Sequence, residues 1–161
     1  MKKAFLILSA LLIFSYASFA QAKYYKGEWV QGNSTYLFKS FMQLNFDGSK
    51  VKGMIIWTII TPDSNNSFSL SYYAHNRLNR SGIEIVEGSY DPRTRDLSFL
   101  GLSKIDPDSV MGVDIYSLKL SADGNVIHGK TDANGKGNGY FYATLVSGAE
   151  KEFNTMKEKI K

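Results

Sequence analysis

The sequence predicts an all-β protein, an antiparallel up-and-down barrel of about eight or nine strands with a C-terminal helix. The main observation is a repeated plan in which two apolar or alternating runs flank an Asp-Gly pair, at Asp47-Gly48 and again at Asp123-Gly124. Such pairs accept the positive φ angles of a tight hairpin turn. A looser copy of the plan spans residues 90–101. Repeated strand–turn–strand units indicate a meander that closes into a barrel or a flattened sandwich.

The individual strands follow from their side-chain patterns. Residues 35–46 alternate between apolar and polar side chains, so one face is buried and the other is in contact with water. Residues 51–60 are apolar on both faces and rich in Val, Ile, Thr and Trp, which favours a strand over a helix. The other predicted strands are 24–31, 83–90, 97–103, 112–121, 126–131 and 140–146.

Turn-forming residues separate these strands and predict long loops at 61–67, 104–111 and 132–139. Residues 68–81 have rough helical spacing and are expected to form a short helix or an irregular lid. Near the end of the chain Phe153, Met156 and Ile160 recur at helical spacing among charged residues. This spacing predicts an amphipathic helix over residues 148–161.

The start of the chain predicts export. Lys2 and Lys3 precede an apolar run over residues 4–14 that is too short to span a membrane comfortably. Residues 1–20 are therefore interpreted as a signal peptide cut after Ala20, with Ala22 as the alternative. The remaining 141 residues suit one domain, a β-barrel over 21–147 followed by the helix. We expect a periplasmic or secreted protein with no membrane span in its mature chain.

Charge and composition exclude several classes of protein. Without the leader, 17 basic and 15 acidic residues leave a net charge of +2 and no basic patch, which argues against nucleic acid as a partner. The chain has no cysteine, so a disulfide scaffold, a thiolate zinc site and a cysteine nucleophile are excluded. A hydrophobic core alone must hold this fold together.

A short motif on the first predicted strand connects the chain to a family. Gly27-Glu28-Trp29 resembles the Gly-x-Trp signature of the calycin group, which comprises lipocalins, avidins and small bacterial barrel-type inhibitors. The resemblance implies an up-and-down barrel in which Trp29 plugs the closed end. Residues 87–91 are also similar to stretches of exported bacterial proteins, a likeness that implies no activity.

The histidines and the glycine-rich loop do not predict a metal site or a cofactor. His75 and His128 are the only histidines, whereas a site of histidines and carboxylates needs several ligands that converge. The loop 132–139 superficially resembles a calcium loop. Lys136 and Ala143, however, occupy positions where oxygen ligands are required, so the loop is interpreted as a turn.

Carboxylates are the remaining basis for an enzyme. Glu84 and Glu87 are three residues apart on one strand and therefore lie on opposite faces. Asp106, Asp108 and Asp114 could cluster in a loop as general acid and base, although turn formation is the commoner role of such aspartates. Since no nucleophile or metalloprotease motif is present, an enzyme is disfavoured and no catalytic residue is predicted.

Aromatic residues carry the binding hypothesis. Tyrosine couples an apolar ring to a polar tip and suits a ligand cavity or a contact surface, although strands also favour aromatic residues for packing alone. The first hypothesis is a small amphipathic or apolar ligand bound in the barrel mouth. The predicted ligand-binding residues are Tyr36, Phe38, Met42, Trp57, Tyr72, Tyr73 and Tyr116.

The alternative hypothesis is a filled barrel without a ligand. In that case the loops 61–67, 104–111 and 132–139 would bind or inhibit another protein or an envelope component. The choice depends on whether the inward side chains leave space, and that space depends on strand number and shear.

Overall fold

The computed structural model describes residues 21–31, 37–60, 78–132 and 138–160. Within this part of the chain eight antiparallel strands form one closed barrel, in which each strand pairs with its neighbours in sequence and the first pairs with the last. The up-and-down barrel with its C-terminal helix confirms the predicted fold class. The elements are β1 (Lys23–Gln31), β2 (Leu37–Asp47), β3 (Lys50–Ile60), β4 (Ser81–Tyr90), β5 (Asp96–Ile105), β6 (Ile115–Leu120), β7 (Val126–Asp132), β8 (Asn138–Leu145) and α1 (Glu150–Glu158).

The tight turns follow the predicted chemistry. Gly48 and Gly124 both have positive φ angles, 57° and 74°, as the Asp-Gly pairs require. The hydroxyl of Ser121 accepts hydrogen bonds from the backbone N–H groups of Asn125 and Val126, which fixes the β6–β7 turn. The hairpins predicted at Asp47-Gly48 and Asp123-Gly124 are therefore confirmed.

Some element bounds differ from the prediction. Strand β5 continues to Ile105, and β6 begins only at Ile115 rather than at residue 112. The connection between them is held in a turn by Asp106, whose carboxylate accepts the backbone N–H groups of Val110 and Met111 at 2.6 and 3.1 Å. Ser81 already belongs to β4. The predicted lid at 68–77 lies outside the described residues.

Closure of the barrel depends on the contact between β1 and β8. Gly27 pairs with Ala143 of β8 and with Ser40 of β2. A Cβ atom at Gly27 would lie 2.5 Å from the Cβ of Ala143 and would also collide with the carbonyl oxygen of Tyr142. Only glycine lets these two strands approach so closely.

The inward side chains of all eight strands form one buried core. Strand alternation places every second residue inside, and Tyr140 and Tyr142, which alternate with Phe141, are exposed on the outer wall as expected. The buried inward residues are Tyr25, Trp29, Met42, Leu44, Val51, Ile55, Trp57, Val86, Leu97, Phe99, Tyr116, Leu118, Leu120, Ile127, Phe141 and Ala143.

Helix α1 packs on the outer wall of the barrel. Phe153 is fully buried there, and its ring lies 5.1 Å from that of Phe41 and 5.6 Å from that of Tyr24. Glu152, on the first turn of the helix, forms an ion pair with Lys26 of β1 at 2.6 Å. The helix therefore covers an apolar area that strands β1 to β4 leave on their outer faces.

The two ends of the barrel differ. The connections after β2, β4 and β6 are short turns and define the turn end, whereas those after β1, β3, β5 and β7 leave from the opposite end, named the loop end. Of the loop predicted at 104–111, residues 104 and 105 belong to β5 and the rest lie in the β5–β6 connection. Of the loop predicted at 132–139, residue 132 belongs to β7 and residues 138 and 139 belong to β8. The predicted loop 61–67 and residues 133–137 lie outside the described residues. Trp29, which the resemblance implies at the closed end, lies near the loop end.

Replacement of Phe153 by alanine should lower the free energy of unfolding by about 3 kcal/mol, because a buried ring and its aromatic contacts are lost. Urea unfolding followed by tryptophan fluorescence measures the change. Lys151→Ala alters an exposed residue of the same helix and should change stability by less than about 0.5 kcal/mol. Equal losses for the two variants would contradict the packing described for α1.

Candidate functional site: a buried carboxylate at the loop end

The inner face of β4 carries a carboxylate that is fully buried. Glu84 lies on the same face as Val86 and is 0% exposed. Its Oε2 accepts a hydrogen bond from the indole Nε1 of Trp57 at 3.0 Å and another from the hydroxyl of Tyr116. Its Oε1 accepts the backbone N–H of Asp114 at 2.8 Å. Three donors from β3, β6 and the residue before β6 thus converge on one side chain.

The backbone of β5 closes the remaining side of this network. Gly101 faces Glu84, and a Cβ atom at this position would collide with the Oε1 atom of the carboxylate. The N–H of Gly101 donates to the carbonyl oxygen of Asp114 at 2.8 Å, which ties β5 to the start of β6. Glycine is required here because the carboxylate occupies the space that a side chain would need.

Burial dominates the electrostatics of the network. It raises the pKa of Glu84 to about 7, although the hydrogen bonds from Tyr116, Asp114 and Trp57 act in the opposite direction. The pKa of Tyr116 is raised well above its ordinary range by burial and by the charge of Glu84. Burial, followed by the charge of Asp132, also raises the pKa of the Asp114 carboxyl. The loop end therefore concentrates acidic groups whose charged forms are disfavoured.

Aromatic rings surround the network inside the barrel. The ring of Phe38 lies 6.2 Å from that of Trp57 and 5.4 Å from that of Trp29. Trp57 also contacts Phe141 at 5.8 Å, and these three contacts have edge-to-face geometry. The indole N–H of Trp29 donates to the hydroxyl of Thr131, so both tryptophans have buried polar partners.

The structure brings part of the predicted site together. Phe38, Met42, Trp57 and Tyr116 all lie on the inner face of the barrel. Phe38 and Trp57 share a ring contact, and Glu84 joins Trp57 to Tyr116. Met42 lies deeper, among the apolar core residues. Tyr36, Tyr72 and Tyr73 lie outside the described residues.

The sequence did not identify Glu84 as part of the site. Alternation alone placed Glu84 and Glu87 on opposite faces, which is confirmed, since Glu87 forms an ion pair with Lys52 on the outer wall. Glu84 lies between two apolar residues, Ile83 and Ile85, whose side chains are on the opposite face of β4. Because both faces of β4 contain apolar residues, the pattern did not show which face points inward.

The other groups considered for chemistry have separate partners. Asp106 bonds to Lys104 at 3.0 Å and to backbone N–H groups, and Asp108 lies 4.0 Å from Arg80. His128 is exposed on the outer wall, whereas its neighbour Ile127 is buried. Among the described residues no group of three or more His, Asp or Glu could hold a metal ion. His75 lies outside them.

Grooves on the outer wall are open and lie apart from the predicted residues. One, of about 610 Å³, runs between α1 and the outer faces of β1 to β3 and is lined by Lys26, Phe41 and Met156 among others. Another, of about 480 Å³, follows the outer faces of β5 to β7 and is lined in part by His128 and Lys130. Neither groove contains the convergent buried polar groups that the loop end provides.

The fold and the site define a class of protein but no family. The closed eight-stranded antiparallel barrel is compatible with a calycin-like fold. Comparison with protein-family models, with curated proteins and with solved structures found no match. Of the helices in the described part of the chain, none has the length and apolar character needed to cross a membrane.

The raised pKa of Glu84 predicts a characteristic pH dependence. In the unfolded chain the carboxyl titrates near its ordinary value of 4.5, and in the folded protein near 7. Stability from this group is fully present below about pH 4.5 and is lost as the pH rises through about 7, because the unfolded chain releases its proton first. This shift corresponds to about 3 kcal/mol.

Urea unfolding of the wild type and of Glu84→Gln at several pH values between 4.5 and about 8 tests this prediction. The wild type should lose about 3 kcal/mol relative to the variant over that range. Glutamine has only one acceptor oxygen, so the variant cannot accept the N–H of Asp114 as Glu84 does at any pH. The comparison therefore concerns the change in stability with pH and not the stability at one pH. Parallel pH profiles for the two proteins would show that Glu84 titrates normally.

Proposed function

We propose that this protein is an exported binding protein that holds a small apolar or amphipathic ligand at the loop end of its barrel. The observation that carries the proposal is the buried network in which Trp57 and Tyr116 converge on Glu84. Ligand sites typically combine an apolar, aromatic lining with a few oriented polar groups. Strongly shifted carboxyl groups are also more frequent at functional sites than elsewhere.

Packing of the rest of the interior supports a site at this end. Towards the turn end the barrel is filled by fully buried residues such as Tyr25, Leu44 and Ile127. Phe38, the inward residue nearest the loop end of β2, is only partly buried. A barrel of eight strands has room for packed side chains or for one small ligand. The proposed ligand therefore enters from the loop end and does not pass through the barrel.

Two further parts of the proposal rest on the sequence. The Gly-x-Trp motif at residues 27–29, now located in the first strand of a closed barrel, supports a relationship to calycins. The leader over residues 1–20 supports export to the periplasm or the medium. In this proposal the protein needs no metal and no cofactor.

The ligand-binding proposal predicts that Phe38→Ala weakens binding. Titration with N-phenyl-naphthylamine, a neutral fluorescent dye, measures the affinity of the purified protein for an apolar probe. Loss of the ring at the loop end should weaken dye binding by about tenfold, which corresponds to about 1.4 kcal/mol. Phe46→Ala is the matched control, because Phe46 lies on the same inner face of β2 at the turn end and contacts Tyr90.

The control should bind the dye within about twofold of the wild type, since a change of that size is below 0.5 kcal/mol. Absence of dye binding by the wild type, or equal weakening by both variants, would refute a ligand site at the loop end.

A second candidate function is supported by the outer wall of β4 to β6. Five large apolar side chains are exposed on these three adjacent strands, and two of them, Leu102 and Ile115, are more than half exposed. Leu102 is the extra residue of an irregularity in the β4–β5 pairing, and its side chain is exposed like that of Leu100. Exposed apolar patches often mark protein contact sites. The patch consists of Ile85, Leu100, Leu102, Ile105 and Ile115.

This alternative predicts that Leu102→Ser abolishes capture of a partner from an envelope extract. Lys151→Ala, an exposed change on helix α1 rather than on β4 to β6, should leave capture intact. Neither substitution affects the buried core, so both proteins should show the same unfolding midpoint. Capture that survives Leu102→Ser would exclude the patch as the contact surface.

A further inference from the structure

Within the described part of the chain, Ser40 is a buried polar residue without a hydrogen-bond partner. It lies on the inner face of β2, opposite Trp57 of β3, and is 4% exposed. Its Oγ atom is buried and has no hydrogen-bond partner. A hydroxyl buried in this way has lost its hydrogen bonds to water and gained none in return, so its burial is unfavourable. Such an isolated group in a tightly packed interior requires an explanation.

The position of Ser40 suggests that explanation. It is the next inward residue after Phe38, so a molecule that enters from the loop end past Phe38 reaches Ser40 next. Ser40 pairs with Gly27 of β1, and Gly27 pairs in turn with Ala143 of β8, so the three residues lie side by side in one row of the sheet. Ser40 thus has small residues on its β1 side and the indole of Trp57 on its β3 side. The hydroxyl is therefore the polar group available to a ligand at this depth.

On the basis of the proposed ligand-binding function, we propose that Ser40 Oγ hydrogen-bonds the head group of the ligand, and that this head group is uncharged, such as an alcohol or an amide. The site would thus select neutral amphiphiles over fatty acids and over alkylamines. A neutral head group has no charge to compensate when it is buried, and a serine hydroxyl can either donate a hydrogen bond to it or accept one from it.

Charge at the loop end argues against an anionic head group. Glu84 and Asp114 lie there, and the charge of Asp132 acts on Asp114. In the described part of the chain no lysine or arginine is bonded to Glu84. A carboxylate ligand would be buried among carboxylates without a counter-ion, which is strongly unfavourable.

A cationic head group is disfavoured for a different reason. The two oxygens of Glu84 already accept three hydrogen bonds, and Gly101 lies directly against Oε1. An ammonium group therefore could not pair with Glu84 without breaking the network. Ser40 carries no charge to replace that pairing, so a buried ammonium would remain uncompensated.

Displacement of the neutral dye by decanol, decylamine and decanoate tests the inference, because these compounds share one chain length and differ in head-group charge. At about pH 8 Glu84 is mostly ionised, and so are the amine and the acid. Decanol should displace the dye at a concentration at least about tenfold lower than either charged compound. Tighter binding of decanoate or decylamine, or no displacement by any of the three, would overturn the inference while dye binding still supports the proposed function.

Ser40→Ala supplies a second and independent measurement. The variant should bind decanol about threefold to tenfold more weakly, the effect of one neutral hydrogen bond, whereas the outer-face control Ser117→Ala should bind it normally. Without ligand, Ser40→Ala should be at least as stable as the wild type, because the removed hydroxyl has no partner. A clear loss of stability in the ligand-free variant, or unchanged decanol affinity, would assign Ser40 a structural role instead.

Discussion

Closure of the sheet between β1 and β8 is the constraint on which the rest of this structure depends. It brings inward residues that are far apart in the sequence, such as Trp29 and Thr131, into one interior. The contact is possible because Gly27 has no side chain where β1 meets Ala143. Without closure the sheet would expose its edges and the inner face would have no opposite wall to pack against. The buried network around Glu84 exists only inside this closed wall.

The interior is divided along the barrel axis into an apolar half and a polar half. Towards the turn end the inward residues fill the space with apolar side chains, and the hydroxyl of Tyr25 bonds to the carbonyl oxygen of Gly124. Towards the loop end, buried polar groups on Glu84, Thr131 and Ser40 lie among aromatic rings. A carboxylate buried without a cation contributes less to stability at neutral pH than an apolar residue would. This cost falls at the loop end, where we place the proposed ligand site.

Local patterns in the sequence were sufficient for the fold and insufficient for the site. Hairpins follow from adjacent residues, so Gly48 and Gly124 indicated their turns correctly, and alternation along residues 35–46 placed Phe38 on the buried face. The role of Glu84 depends on donors 27 to 32 residues away in the sequence. Its own strand is apolar on both faces because helix α1 covers part of the outer wall, Ile83 included. Long-range packing thus concealed a charged residue that points inward.

Strands β4 to β6 connect the two candidate surfaces physically. On β4, Glu84 points into the barrel and the next residue, Ile85, points outward into the exposed patch. At the start of β6, the N–H of Asp114 binds Glu84, and the next residue, Ile115, belongs to the same patch. A ligand that alters the hydrogen bonds of Glu84 would therefore act on the backbone that positions Ile115. Binding of a ligand inside the barrel and binding of a partner at the outer wall would then be coupled, since both depend on the backbone at residues 114 and 115.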